Sequence, residues 1–336
     1  MNTLGKILSL TTFGESHGSA MGGILDGFPA GVSIDVDKLQ EFVDLRRPRQ
    51  SVGSSQRDEQ DRVELLSGLR HGQSLGTPIG FIVRNTDARS SDYDGMHNCY
   101  RPSHADYTWE AKYGIRDPRG GGRASARETV ARVVAGGLAV QALEQLGITI
   151  FSAIVQVGPH RGLTPESMSD VIRYAADDGD TLGGIVECVV SGVPVGLGEP
   201  VFGKLQAQLA AAMMSIPSVH GFEYGDGFDM ASKRGSDVMD VFEKREDGSI
   251  CTTTNHSGGI QGGITNGEDI IMRIAFKPVP TLMRDVPTID RDGYPVVLHP
   301  RGRHDACVLP RALPIVNAMA ALVILDNYLI KKTNVL

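Results

Sequence analysis

The chain has few cysteines, little aromatic content, no long apolar run and no excess of positive charge. Its 336 residues include four cysteines and one tryptophan, and aromatic residues make up 6%. Cys99, Cys188, Cys251 and Cys307 stand far apart with no Cys-x-x-Cys pair, which argues against a disulfide framework or a zinc site and fits reduced thiols. No metal site is expected. The first residues lack the basic-then-apolar order of a secretion signal. No stretch approaches the roughly 18 apolar residues of a membrane span; the longest run, Ala318–Leu325, is stopped by Asp326 and Asn327. The formal net charge is −7, so nothing draws the chain as a whole to nucleic acid or to an anionic membrane. These absences lead to the expectation of a soluble, cytoplasmic protein.

Glycine is abundant instead, at 41 residues, and gathers in short motifs rather than in one flexible tract. One motif is Gly14-Glu15-Ser16-His17-Gly18. Histidine titrates near neutrality and can give or take a proton at working pH, and small neighbours leave His17 open to close approach. Taken alone, the pair Ser16-His17 reads more simply as a Gly-rich turn around a hydrogen-bonded core histidine. Basic residues also gather. Arg46, Arg47, Arg49, Arg57 and Arg62 form one group; Arg101, Arg116, Arg119, Arg123, Arg127 and Arg132 form a second. Basic clusters in an acidic chain point to a focused anion site, with a solvated helix face as the plainer reading.

Hydrophobic content of 41% and charged content of 22% suit a globular protein with a sizeable core. Ile7–Phe13 reads as a strand, Gly22–Leu25 as a second strand or the start of a helix, and Pro78–Val83 as a buried strand. Asp37–Leu45 has the apolar spacing of a helix. Arg46–Arg62 and Asn85–Tyr107 read as loops, and a loop as long as the second is usually functional. Gly120-Gly121-Gly122-Arg123-Ala124-Ser125 leads into a helix that ends near Gly147, with Ser125 as its cap and Glu128 in capping-box position. A glycine run entering a helix presents N–H groups to an anion, here beside Arg123 and Arg127. Further on, Ile148–Val157, Gly184–Val193 and Ile270–Phe276 read as strands. Pro165–Asp177, Leu205–Met214 and the apolar Ala312–Leu329 read as helices.

The chain also echoes itself. Gly27-Phe28-Pro29-Ala30-Gly31 precedes Lys38-Leu39-Gln40, and Gly192-Val193-Pro194-Val195-Gly196 precedes Lys204-Leu205-Gln206. Gly22-Gly23-Ile24 is likewise similar to Gly258-Gly259-Ile260. The expectation is one domain over residues 1–336 made of two related halves, about 1–150 and 151–336, with chance recurrence as the alternative.

Three blocks together resemble one family. They are Gly14–Gly18 continued to Asp26-Gly27-Phe28-Pro29; Arg101-Pro102-Ser103-His104-Ala105-Asp106 continued through Gly120–Thr129; and Gly302-Arg303-His304-Asp305-Ala306-Cys307 with Pro310-Arg311-Ala312. Asn85-Thr86-Asp87, Gly198-Glu199-Pro200, Gly225-Asp226-Gly227-Phe228 and Asn255–Gly263 add to them in order. The family is chorismate synthase, and the resemblance covers essentially the whole chain. It implies an α+β fold, a β-α-β sandwich with core helices between antiparallel sheets, and a homotetramer. It implies loss of phosphate and a ring proton from 5-enolpyruvylshikimate 3-phosphate to give chorismate, with reduced FMN and no net redox change. As no dinucleotide fingerprint is present, an external flavin reductase would supply the reduced flavin. The resemblance assigns catalysis to His17, Ser16, His104 and Asp305. It assigns the substrate to Arg46, Arg47 and Arg127, and the flavin to Arg123, Ala124, Ser125, Pro217, Ser218, Gly262, Lys277, Pro278, Val279, Pro280, Thr281 and Arg303.

Several positions depart from the family pattern. Leu45-Arg46-Arg47-Pro48-Arg49 replaces a run of three arginines followed by Pro-Gly, and Val52, His220, Ala306 and Asn317 replace a basic residue, a lysine, a proline and a glutamate. Lost charge at Val52 and Asn317 is expected to reshape anion binding or subunit contacts. The departures motivate an alternative, a non-catalytic flavin- or anion-binding homologue with a regulatory role. A flavin-dependent oxidoreductase is a third reading.

Overall fold

Two five-stranded antiparallel sheets flank a central pair of apolar helices. The computed structural model describes residues 1–48, 60–86, 98–117, 120–299 and 305–334.

The first half runs β1 (Thr3–Leu4), β2 (Ser9–Gly14), β3 (Ala20–Asp26), α1 (Val36–Asp44), β4 (Val63–Leu65), the small hairpin β5 (Leu69–Arg70) and β6 (Gln73–Ser74), β7 (Ile79–Arg84), α2 (Asp106–Tyr113) and α3 (Thr129–Glu144). Its sheet has the order β1-β2-β3-β7-β4. The second half runs β8 (Thr149–Val157), β9 (His160–Arg161), α4 (Pro165–Asp177), β10 (Gly184–Ser191), α5 (Leu205–Met214), β11 (Val219–Tyr224), the hairpins β12 (Phe242–Lys244) with β13 (Ile250–Thr252) and β14 (Ile260–Gln261) with β15 (Ile264–Thr265), β16 (Ile270–Phe276), the hairpin β17 (Val286–Ile289) with β18 (Pro295–Leu298), and α6 (Leu309–Lys331). Its sheet has the order β11-β16-β10-β8-β9.

The two orders correspond. β2, β3, β7 and β4 take the places of β8, β10, β16 and β11, α1 and α5 follow the second strand, and α3 and α6 close each half. The recurring Gly-x-Pro-x-Gly turns are held alike. Ser74 Oγ donates to the Pro29 carbonyl and accepts from Val32 N–H, at 2.6 and 2.9 Å. Thr265 Oγ1 donates to the Pro194 carbonyl and accepts from Leu197 N–H, at 2.7 and 2.8 Å. The other recurrence has no such basis: Gly22–Ile24 lies inside β3, whereas Gly258–Ile260 enters the short β14.

Burial of α3 and α6 explains their composition. Both are apolar around most of their circumference, as a helix covered on all sides must be. α3 packs on α6 and on β2 and β3, and α6 packs on β8 and β10. Small residues bring the helix backbones together: a Cβ added to Gly136 would lie 2.2 Å from Ala318 Cβ and 2.4 Å from its Cα. α6 is long and apolar enough to cross a membrane, but 72% of its most apolar window is buried inside the protein. Asp326 on α6 accepts the N–H groups of Lys6, Ile7 and Leu8, each at 2.9 Å, and so ties the two chain ends together.

The glycine run does not enter a helix directly. Gly120 and Gly122 have φ of 121° and 52°, values that an α-helix excludes. The chain therefore makes two 3₁₀ turns, Gly122–Ala124 and Ala126–Glu128, before α3 begins at Thr129. Ser125 Oγ accepts from Arg127 N–H. The Glu128 carboxylate accepts from Thr12 and Arg132 instead of completing a capping box. The expected anion seat on an open helix N-terminus is therefore absent at α3, whose first turn has an acid at its cap. The expected loop Asn85–Tyr107 ends early, because Asp106 opens α2; residues 87–97, like most of the expected loop at 46–62, lie outside the described residues.

Candidate active site

The corresponding connections of the two halves meet at one cavity of about 930 Å³. From the first half come the end of α1 and the β7–α3 connection; from the second come the α5–β11 turn and the β16–α6 connection. The last two long connections also brace each other. Tyr100 N–H donates to the Ile289 carbonyl at 3.1 Å, and Arg291 N–H to the Asn98 carbonyl at 2.8 Å. The volume sits at the upper end of the roughly 300–1,000 Å³ of small-molecule sites, room for more than one small ligand. Among the described residues the lining carries seven arginine and lysine side chains against four carboxylates, so the cavity favours anions within an acidic chain.

A line of polar contacts joins the three sequence blocks behind this lining. Asp305 pairs with Arg311, whose Nε donates to the Arg46 carbonyl at 3.0 Å. Arg46 donates to Asp61 Oδ2 at 2.9 Å, to Thr129 Oγ1 at 3.0 Å and to the Ala126 carbonyl at 3.3 Å. Arg127 takes the other Asp61 oxygen and donates to Asn85 Oδ1 at 2.9 Å. Asn85 Nδ2 in turn holds the carbonyls of Glu15 and Gly18 at 3.1 and 2.8 Å. Burial would raise the Asp61 carboxyl, but the guanidiniums of Arg46 and Arg127 outweigh it and hold the group below its ordinary range.

His104 is fixed by its neighbours. Its Nδ1 lies 3.0 Å from the Pro102 carbonyl, which can only accept, so Nδ1 carries the proton. Nε2 then accepts from Thr281 Oγ1 at 3.1 Å. Burial, and next the Arg101 charge, push the His104 pKa down to about 4, so the ring is neutral at working pH. Arg101 grips Asp106 with two bonds of 2.7 Å, closing the turn that carries His104.

Among the described residues, two cations on the lining have no carboxylate partner. Arg123 donates to Thr12 Oγ1 at 2.8 Å, Asn2 Oδ1 at 3.1 Å and the Gly14 carbonyl at 3.5 Å. Lys277 Nζ donates to the Ser103 carbonyl at 3.0 Å. Their charges are held by neutral oxygens and remain available to an anion.

The cavity brings together His104, Asp305, Arg46, Arg127, Arg123, Ala124 and Ser125, the Pro217-Ser218 turn, Lys277, Val279, Pro280 and Thr281. His17 and Ser16 are not on this lining; Ser16 Oγ lies 3.1 Å from His17 Nδ1, and the motif reaches the cavity through Glu15. Arg47 is not on it either and lies 3.8 Å from Asp44. Pro278 is exposed, and Gly262 is exposed on the β14–β15 hairpin. Arg303 lies outside the described residues. Asn317 accepts from Ser152 on β8 and does not line the cavity, so lost charge there does not act on the anion site of this chain. Motif reading missed Asp61, which no pattern marks, and gave no role to Arg311 or Trp109, both at the cavity.

Fold and lining define a class: an α+β sandwich with a cavity of net positive lining at the meeting of its two halves. Comparisons narrow it. The model of the family described as chorismate synthase matches residues 8–329. A chorismate synthase of Phocaeicola vulgatus is 51% identical over 99% of this chain and 99% of its own length. One from Bacteroides thetaiotaomicron is 52% identical with the same coverage. A crystal structure of a chorismate synthase superposes with a TM-score of 0.78 at 29% identity, covering 97% of this chain and 93% of its own. The chain belongs to the chorismate synthase family, enzymes that are carbon–oxygen lyases acting on a phosphate and that imply a flavin cofactor.

Proposed function

We propose that the chain converts 5-enolpyruvylshikimate 3-phosphate to chorismate and inorganic phosphate, with reduced FMN and no net redox change. The observation that carries the reading is a cavity lined by the family's motifs in which Arg123 and Lys277 have no carboxylate partner among the described residues. The lining fits a phosphorylated flavin: Pro217, Val279 and Pro280 offer apolar surface to a flat ring, and Ser125, Thr281, Arg123 and Lys277 offer donors. When bound there, reduced FMN would supply reversible one-electron chemistry, with no net redox change.

The residues of the chain bind and move protons. Arginine and lysine meet the carboxylates and phosphate of the substrate, Arg127 and Arg46 as a rigid wall fixed by Asp61 and Arg123 and Lys277 as direct partners. The ring C–H bond breaks with its proton passing toward Asp305 and its electrons entering the ring to form a second double bond, while the C–O bond to phosphate breaks with its electron pair leaving on oxygen. His17, which lies off the lining beside Ser16, would have to reach the departing phosphate from the edge of the cavity that Glu15 lines in order to act as its proton donor. The neutral His104, fixed by its bonds to Pro102 and Thr281, would be held beside a bound flavin. Gly262 lies away from the cavity of its own chain, so in the proposed homotetramer a second copy would bring it there. Partly exposed apolar residues on the outer sheet faces, Phe13, Ile24 and Phe151, are consistent with such an assembly. Localisation is proposed as cytoplasmic, with reduced flavin supplied by a separate reductase.

The test is anaerobic incubation of the purified protein with the substrate and chemically reduced FMN. Phosphate and chorismate in equal amounts, with the flavin still reduced, are expected. Flavin binding without product would favour the non-catalytic homologue, and flavin oxidised in step with turnover would favour an oxidoreductase. His17→Ala and His104→Ala should each lower turnover by at least about 100-fold; near-normal rates would remove those roles.

A further inference from the structure

Three non-glycine residues at or behind the cavity have left-handed backbone: Asp61, Ser103 and Ser218, with φ of 47°, 59° and 72°. Such conformations are costly for residues with a Cβ and persist only where the surroundings hold them. One residue holds two of these three. The Lys277 backbone N–H donates to the Ser218 carbonyl at 2.8 Å, and its Nζ donates to the Ser103 carbonyl at 3.0 Å. Ser103 immediately precedes His104, and it follows Pro102, whose carbonyl accepts from His104 Nδ1. The ammonium therefore grips the middle of the turn that selects the proton-bearing nitrogen of His104.

We infer that Lys277 is a positioning residue for His104: its ammonium keeps Ser103 left-handed, and this keeps the imidazole in its Nδ1–H form with Nε2 as acceptor. The role concerns the chain before any ligand arrives, and its importance for turnover rests on the function proposed above. The rival account is that the Arg101–Asp106 pair alone closes the turn, leaving Lys277 as a ligand-binding charge.

The two accounts part under substitution. Lys277→Met keeps the length and bulk of the side chain and removes the donor. Left without its anchor, Ser103 should return to a common backbone conformation and free the imidazole to take the Nε2–H form. Ser103→Gly, by contrast, makes left-handed backbone inexpensive, so it should lessen the need for the anchor. Charge loss cannot be repaired by a glycine, so rescue separates positioning from electrostatics.

The experiment is ¹H–¹⁵N NMR of the imidazole nitrogens in the unliganded protein near pH 8, which reads the tautomer directly. Native protein and Ser103→Gly should both show Nδ1–H. Lys277→Met should lower the ratio of Nδ1–H to Nε2–H by about tenfold, the equivalent of the strain in one left-handed residue. The double variant Lys277→Met/Ser103→Gly should recover most of that ratio. An unchanged tautomer in Lys277→Met, or no recovery in the double variant, would overturn the inference. If Lys277→Met does not fold, Lys277→Leu, which also lacks a donor, in the presence and absence of Ser103→Gly serves the same comparison. Because no cofactor or substrate is added, these outcomes are independent of whether the chain makes chorismate.

Discussion

Asp61 shows how much of a site can rest on one residue that lines no part of it. Two buried guanidiniums, Arg46 and Arg127, share its carboxylate. Asp61→Asn keeps the shape and removes the one carboxylate that the two buried cations share. Denaturant unfolding should show a loss of about 3–5 kcal/mol; a loss under about 1 kcal/mol would mean that other partners already neutralise the pair. His104 gives a second expectation at this scale. Its pKa is about 4 in the folded chain against 6.5 as the ordinary value. Between those values the unfolded chain binds more protons, so stability falls as pH drops from 6.5 toward 4, by up to about 3 kcal/mol, and His104 adds no further loss below that. Denaturant midpoints across this window should slope less in His104→Gln than in the native protein; equal slopes would show that His104 is not held neutral.

At the scale of elements, legibility followed local signal. Pro165–Asp177, Leu205–Met214 and Ile270–Phe276 have in the structure the bounds read from their apolar patterns. α2 was hidden because Asp106–Tyr113 has no apolar stripe; it is held by Arg116 and Arg101 gripping its acids. The hairpins β12–β13 and β17–β18 are short and exposed, and β11 is a strand because β16 pairs with it. The turns at Gly120–Glu128 imitate a helix start in sequence, and the positive φ of Gly120 and Gly122 sets them apart from one. The contact of α3 with α6 supplies a prediction from neighbouring glycines. A methyl on Gly136 meets Ala318 Cβ at 2.2 Å and its carbonyl oxygen at 2.8 Å, whereas one on Gly137 meets the ends of Leu39 and Phe42 at 2.7 and 3.0 Å. Helix propensity favours alanine at both by about 1 kcal/mol. Gly136→Ala should nevertheless destabilise by at least about 2 kcal/mol, because a helix backbone must move. Gly137→Ala should stay within about 1 kcal/mol of native, because side-chain ends can turn aside. Thermal or denaturant unfolding of the two variants checks the order, and a Gly136→Ala as stable as Gly137→Ala would show that the helices are not in backbone contact.

For the whole molecule, the recurrence of Gly-x-Pro-x-Gly was visible in the sequence, but its consequence was not. Sequence alone could not show that the corresponding connections face each other across one cavity, because His104, Lys277 and Asp305 are brought together only by the packing of α3 on α6. That packing also makes the halves interdependent. A fragment of residues 1–147 would expose the side of α3 that α6 covers, and 148–336 would expose the matching side of α6. The second would also lose the Lys6–Leu8 N–H groups that satisfy the buried Asp326 carboxylate. Gly147, left-handed with open space where a Cβ would stand, is a tolerant place to divide the chain. Each fragment alone should therefore lack a sharp thermal transition and show weak near-ultraviolet circular dichroism. Mixing the two during refolding should restore both signals in a 1:1 complex, and Asp326→Ala in the longer fragment should weaken that complex. Cooperative unfolding of either fragment by itself would show that the halves are separate domains that merely dock, and that the cavity lies at an interface and not within a shared core.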